Sequence, residues 1–145
     1  MERVNRDRVL RLWSLILRTK GKSKYKKEYP RILFFKNNLR NSNCGEYTNY
    51  NNTIKIWWKE HEDLNDLAKT MLHEYAHYLQ FWPWYTRYQN RYPYKLNPYE
   101  IQAKEMEKMA PLLIHLTREE RWKKMLKKDE KLARIHRRVQ MTIEI

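Results

Sequence analysis

The chain has 145 residues, 31 Lys+Arg against 17 Asp+Glu, and a formal net charge of +14. That length supports one modest hydrophobic core and not two, and 41% hydrophobic residues with 6 Trp and 11 Tyr exclude a disordered chain. Two glycines leave no Gly-rich phosphate-binding turn, and Cys44 alone excludes a disulfide framework or a Cys-based zinc site.

Charge is unevenly placed along the chain. Residues 1–60 carry 15 basic and 5 acidic side chains, residues 61–110 carry 6 and 7, and residues 111–145 carry 10 and 5. Two basic flanks bracket a nearly neutral centre. One domain over 1–145 is expected, divided into a basic N-terminal helix and loop (1–27), a nearly neutral core (28–116) in which any chemistry is to be sought, and a basic C-terminal helix (117–145).

In the first segment Val9, Leu10, Trp13, Ile16 and Leu17 share one helical face. The apolar run Leu12–Leu17 is too short for a signal-peptide core and nothing approaches a membrane span, so an intracellular, cytoplasmic protein is expected. Thr19–Lys27 reads as a basic loop. Arg31–Lys36, bounded by Pro30 and two asparagines, reads as a buried strand, and Asn37–Asn43 as a loop. Glu46–Tyr50 and Thr53–Trp58 read as a hairpin around Asn51-Asn52, with Ile54 and Ile56 alternating inward.

Asp63 opens the clearest helix, in which Leu64, Leu67, Ala68, Met71, Leu72, Tyr75, Ala76 and Leu79 recur at helical spacing. Phe81-Trp82-Pro83-Trp84 ends it, and a Tyr/Arg-rich loop of about a dozen residues follows. Asn97-Pro98 starts a further helix running towards Pro111. Thr117 with Glu120 forms a capping box for a last helix through Val139.

His73-Glu74-Tyr75-Ala76-His77 lies on the central helix. Residues four apart stand one turn above each other, so both imidazoles can reach one ion. Glu74 then sits beside the ion rather than on it, placed to take a proton from a water there and return it to a leaving amine. A third protein ligand is needed, and Glu100, Glu105, Glu107 and His115 compete for that role. Glu100 opens the Asn97-Pro98 helix but also completes an Asn97-x-x-Glu100 capping box. Glu105 and Glu107, alternating with Lys104 and Lys108, read as a solvated face, and His115 as a boundary histidine. A purely structural zinc site is the competing reading; it normally takes four protein ligands.

The run Leu72–Gln80, followed by Asn97-Pro98-Tyr99-Glu100-Ile101-Gln102-Ala103, resembles the Glu-zincin class of zinc metallopeptidases, in particular minimal gluzincins and the ImmA/IrrE-like peptidases. The resemblance covers roughly residues 45–110. It implies one Zn2+ held by His73, His77 and Glu100, with Glu74 as general base, acting on a peptide or protein substrate. It also implies a substrate-pairing edge strand before the metal-site helix, a place occupied by Thr53–Trp58. Larger gluzincins carry an acid four positions after the ligand glutamate, where this chain has Lys104. They also use a Tyr or His to stabilise the oxyanion, a role open to Tyr85, Tyr88, Tyr92 or Tyr94.

The flanks lie outside that resemblance. Arg18, Lys20, Lys22, Lys24, Lys26 and Lys27 place six positive charges in ten residues, and a basic helix face runs from Arg118 to Arg138. Such density suits phosphate-directed contact with nucleic acid, against the plain alternative of a solvated surface. The expectation is therefore an α+β zincin-like domain that hydrolyses peptide bonds. The alternatives are a nucleic-acid- or polyanion-binding protein with a non-catalytic metal site, or a protease recruited to nucleic-acid-bound proteins.

Overall fold

A computed structural model describes residues 2–40 and 43–142. Residues 41 and 42 of the expected Asn37–Asn43 loop, and residues 143–145 of the C-terminal segment, lie outside the described residues. In chain order the elements are α1 (Arg6–Lys20), β1 (Arg31–Phe35), β2 (Gly45–Thr48), β3 (Thr53–Trp57), α2 (Leu64–Leu79), α3 (Trp82–Arg91), α4 (Pro98–Met106), α5 (Ala110–Leu116), α6 (Glu119–Lys128) and α7 (Glu130–Thr142). The architecture is α+β. Among the described residues no helix is long and apolar enough to cross a membrane.

The sheet runs β1-β3-β2, with β1 parallel and β2 antiparallel to β3. The pairing aligns Ile32, Ile54 and Tyr47 in one row and Phe34, Ile56 and Gly45 in the next, which puts the apolar members on one face. Asn52, at φ 51°, turns β2 into β3 in the left-handed region that asparagine tolerates. The expected edge strand is corrected here: β3 is hydrogen-bonded on both sides, so the edges are β1 and β2.

The buried sheet face packs on α2, whose Leu67, Met71, Leu72 and Tyr75 are fully buried. Next to α2 lies α1, joined to it by an edge-on contact between Trp13 and Tyr75 at 5.6 Å. The apolar face expected for α1 is buried, because the helix is covered by α7 on its far side. A second layer on α2 is made by α4 and α5.

Two stretches depart from expectation for the same reason. Pro83 and Pro111 act as helix starters, not stoppers: each sits in a first turn, where its missing N–H is no loss. The loop expected after Phe81 is thus largely α3, whose first turn closes on the Phe81 carbonyl, and the Asn97-Pro98 helix tightens into a single 3-10 turn over Glu107–Met109 before α5 begins. The single basic C-terminal helix is two. Thr117 ends α5 instead of capping a helix, with its hydroxyl donating to the Ile114 carbonyl and accepting from Arg8. The chain breaks again at Asp129, whose Oδ1 accepts from the Leu132 amide to start α7.

Candidate metal centre

Burial of Leu67, Met71, Leu72 and Tyr75 fixes the rotation of α2 and leaves His73 and His77 facing α4. On α4 the start is set by Asn97, whose Oδ1 accepts from the Tyr99 amide at 2.9 Å. The alternative role of Glu100 in that cap is not taken. Its Oε1 lies 3.1 Å from Nε2 of both His73 and His77, and its Oε2 accepts from the Tyr85 hydroxyl at 2.5 Å. One donor atom from each of these three residues falls within 4.8 Å of the others. Ligands about 2.0–2.1 Å from a tetrahedral ion stand roughly 3.4 Å apart, so two imidazoles and a carboxylate in this arrangement can hold a metal ion with little movement.

The outer nitrogens are committed as well. His77 Nδ1 is 2.8 Å from Gln80 Oε1, and the Gln80 amide nitrogen donates to the Tyr99 carbonyl at 2.9 Å. With its nitrogen so used, Gln80 presents only its oxygen to His77, which fixes the proton on Nδ1 and frees Nε2 as a ligand. His73 Nδ1 lies 2.8 Å from Glu107 Oε2, and the other Glu107 oxygen pairs with Lys104 at 3.5 Å. Glu107 is therefore not the solvated residue expected. The carboxylate that faces His73 comes seven residues after Glu100.

Charges follow from this packing. Burial opposes protonation of His73, but the Glu100 bond, the Glu74 charge and the Glu107 bond together push it up to about 9. Burial would raise Glu100, yet hydrogen bonds from His73, His77 and Tyr85 hold it well below the usual carboxylate range. A cation entering here takes the place of an imidazolium proton. Burial pushes the Glu74 carboxyl up, against the pull of His77 and His73. His77 and Glu100 are only 8% and 5% exposed, while His73 and Glu74 are half-buried.

A cleft of about 350 Å³ reaches the site along α2, lined by Cys44, Gly45, Thr70, His73, Glu74 and Glu107 among others. Gly45 is required where β2 meets α2: a Cβ there would lie 2.5 Å from Thr70 Cγ2 and 3.2 Å from Glu74 Cγ. Across from the cleft, Tyr85 stacks on Trp82 at 4.9 Å and meets His77 edge-on at 5.2 Å. Tyr94, 67% exposed, is pushed up to about 12 by partial burial and then by the charge of Glu100. Tyr88 and Tyr92 pack against Trp84, Tyr99 and each other instead.

The other sequence candidates lie elsewhere. Glu105 pairs with Lys108 on the surface, and His115 faces Arg118 at 3.5 Å. Of the six N-terminal cations, Arg18 pairs with Asp129 at 3.1 Å, Lys22 bonds loop carbonyls, Lys26 donates to Asn49 and Lys24 lies over the Tyr25 ring. Lys20 is half-buried and Lys27 exposed. Gln80 was not singled out from sequence, although its i+3 spacing from His77 is a readable signal.

Compared with family models, curated proteins and solved structures, the chain matches none.

Proposed function

We propose that this chain is a zinc-dependent metallopeptidase. The reading is carried by one observation: Glu100 Oε1 meets both Nε2 atoms of the HExxH pair at 3.1 Å, with Glu74 on the same helix beside them. Zinc bound by His73, His77 and Glu100 supplies Lewis-acid polarisation of the scissile carbonyl and a lowered pKa for a coordinated water.

The remaining chemistry belongs to the chain. Glu74 takes a proton from the attacking water and passes it to the leaving amine, a task suited by the rise that burial gives its carboxyl. Tyr85 is held on Glu100 and positions that ligand, which leaves Tyr94, exposed and within the field of Glu100, as the tyrosine to donate to the carbonyl oxygen as charge develops there. Gly45 brings the outer edge of β2 close to Glu74, where an extended peptide can add as a further strand.

The test is metal analysis of the purified chain together with a Glu74→Gln variant on peptide libraries. Both proteins are expected to hold one zinc, with cleavage lowered about 10²–10⁴-fold in the variant. Absence of bound zinc, or equal cleavage by both, overturns the reading.

A further inference from the structure

The two basic flanks of the sequence meet in space. Arg18 at the end of α1 pairs with Asp129 at the turn between α6 and α7. On α6, Arg121, Lys124 and Lys128 fall at i, i+3 and i+7, one stripe of the helix, and line a hollow beside Arg18. On α7, Lys131, Arg134 and Arg138 repeat the same spacing and line a second hollow beside Leu17. All six are exposed, and both stripes flank the same end of α1.

We propose that these two basic stripes, lining neighbouring hollows at the end of α1, dock on the phosphodiester backbone of a nucleic-acid duplex. The cations are ordered by helices, not scattered on loops, and from Arg121 to Lys128 no acidic side chain interrupts them. A ten-residue helix is about 15 Å long and spans on the order of nine duplex charges. Among the described residues Met141 is the only large apolar side chain strongly exposed on α6 or α7. The two helices themselves present no apolar anchor for a bilayer, and the hollow beside Leu17 holds a single exposed ring, Tyr29, too few for successive unpaired bases to stack on, so the duplex backbone is the polyanion they fit.

The layering keeps this face apart from the metal residues. α7 packs on α1, α1 on α2, and the His73 and His77 side of α2 turns the other way, towards α4. A bound duplex leaves the cleft at Glu74 open, and the inference holds whether or not the metal site hydrolyses peptides.

The experiment titrates the full chain into a labelled DNA duplex of about 20 base pairs across a salt series. Parallel titrations use an unpaired strand and vesicles of phosphatidylcholine with phosphatidylserine. The variant carries Lys124→Glu, Lys128→Glu, Lys131→Glu and Arg134→Glu; a control with equal charge change carries Lys27→Glu, Arg31→Glu, Lys36→Glu and Arg40→Glu. The face variant is expected to lose at least about tenfold in duplex affinity and to flatten the log–log salt slope by about 0.9 for each phosphate it no longer neutralises, well beyond the control. Glutamine at the same four positions gives the same ranking should the reversals unfold the chain. Equal loss in face variant and control overturns the proposal, as does no duplex binding at low salt or tighter binding to the vesicles or the unpaired strand.

Discussion

Two interfaces of one helical stack bury histidines in opposite chemical company. Where α2 meets α4, His73 and His77 face Glu100 and Glu107. Where α1 meets α7, His136 Nδ1 lies 2.7 Å from the Ser14 hydroxyl, and its ring stands edge-on to Trp122 at 4.8 Å. Burial disfavours the charged imidazole in both places. The acids at the first interface outweigh it and push His73 up to about 9; at the second, burial and then the Arg11 charge push His136 down. The partner, not depth, decides whether a buried histidine sits in a place that welcomes positive charge. Among the described residues, only the first gathers a donor set that could hold a metal ion.

The largest effect that tests this contrast is on metal affinity. Glu107→Gln is expected to weaken zinc binding about 10–100-fold, roughly 1.4–2.7 kcal/mol, as for other partners that orient a ligating histidine. Glu100→Gln, which alters a proposed ligand, is expected to cost more, and His136→Asn nothing. Competition with a chelator of known affinity measures all three. A zinc affinity unchanged by Glu107→Gln would mean that the 2.8 Å contact to His73 carries no orientation.

The second interface is tested by stability instead. Ser14 is fully buried, and its hydroxyl bonds both the Leu10 carbonyl and His136. Ser14→Ala leaves His136 Nδ1 without that partner, at a cost of about 1–3 kcal/mol in denaturant unfolding, with zinc stoichiometry unaltered. Loss of zinc in that variant would show that the two interfaces are not independent.

What could be read in advance follows the same division. α2 was legible because its apolar period is set by full burial and its motif lies within five residues. Glu100 was within reach because Asn97-Pro98 marks a helix start. The carboxylate on His73 was not: a Glu flanked by lysines resembles a solvated face, and only the fold turns Glu107 inward while Lys104 and Lys108 stay out. α3 was hidden for a different reason. It holds no fully buried residue, so it lacks an apolar stripe, and its order comes from ring contacts such as Trp82 on Tyr85 and from the Tyr85 bond to Glu100. The break at Asp129 escaped notice because the apolar positions Met125, Leu126, Leu132 and Ile135 continue across it at spacings one helix would also allow. Pro83 and Pro111 misled because each begins a helix without a preceding Asn to mark the start, as Asn97 does for Pro98.

The smallest expected effect is on the pH dependence of stability, and its sign separates the interfaces. His136 titrates lower in the fold than in the unfolded chain, where a histidine sits near about 6.5. As pH drops below that value the unfolded chain binds more protons than the folded one, so the His136 contribution is present above it and lost on acidification. His61, lowered chiefly by burial, acts in the same direction. His73 has the opposite sign: its contribution is full below the unfolded value and lost as pH rises through about 9. Melting in chelator-containing buffer should therefore show the melting temperature falling between about pH 7 and 5, with His136→Asn flattening the fall and His73→Asn, which removes an opposing contribution, leaving it at least as steep. If His73→Asn abolished the acid limb while His136→Asn left it unchanged, the assignment of charge to the α2–α4 interface and neutrality to the α1–α7 interface would be reversed.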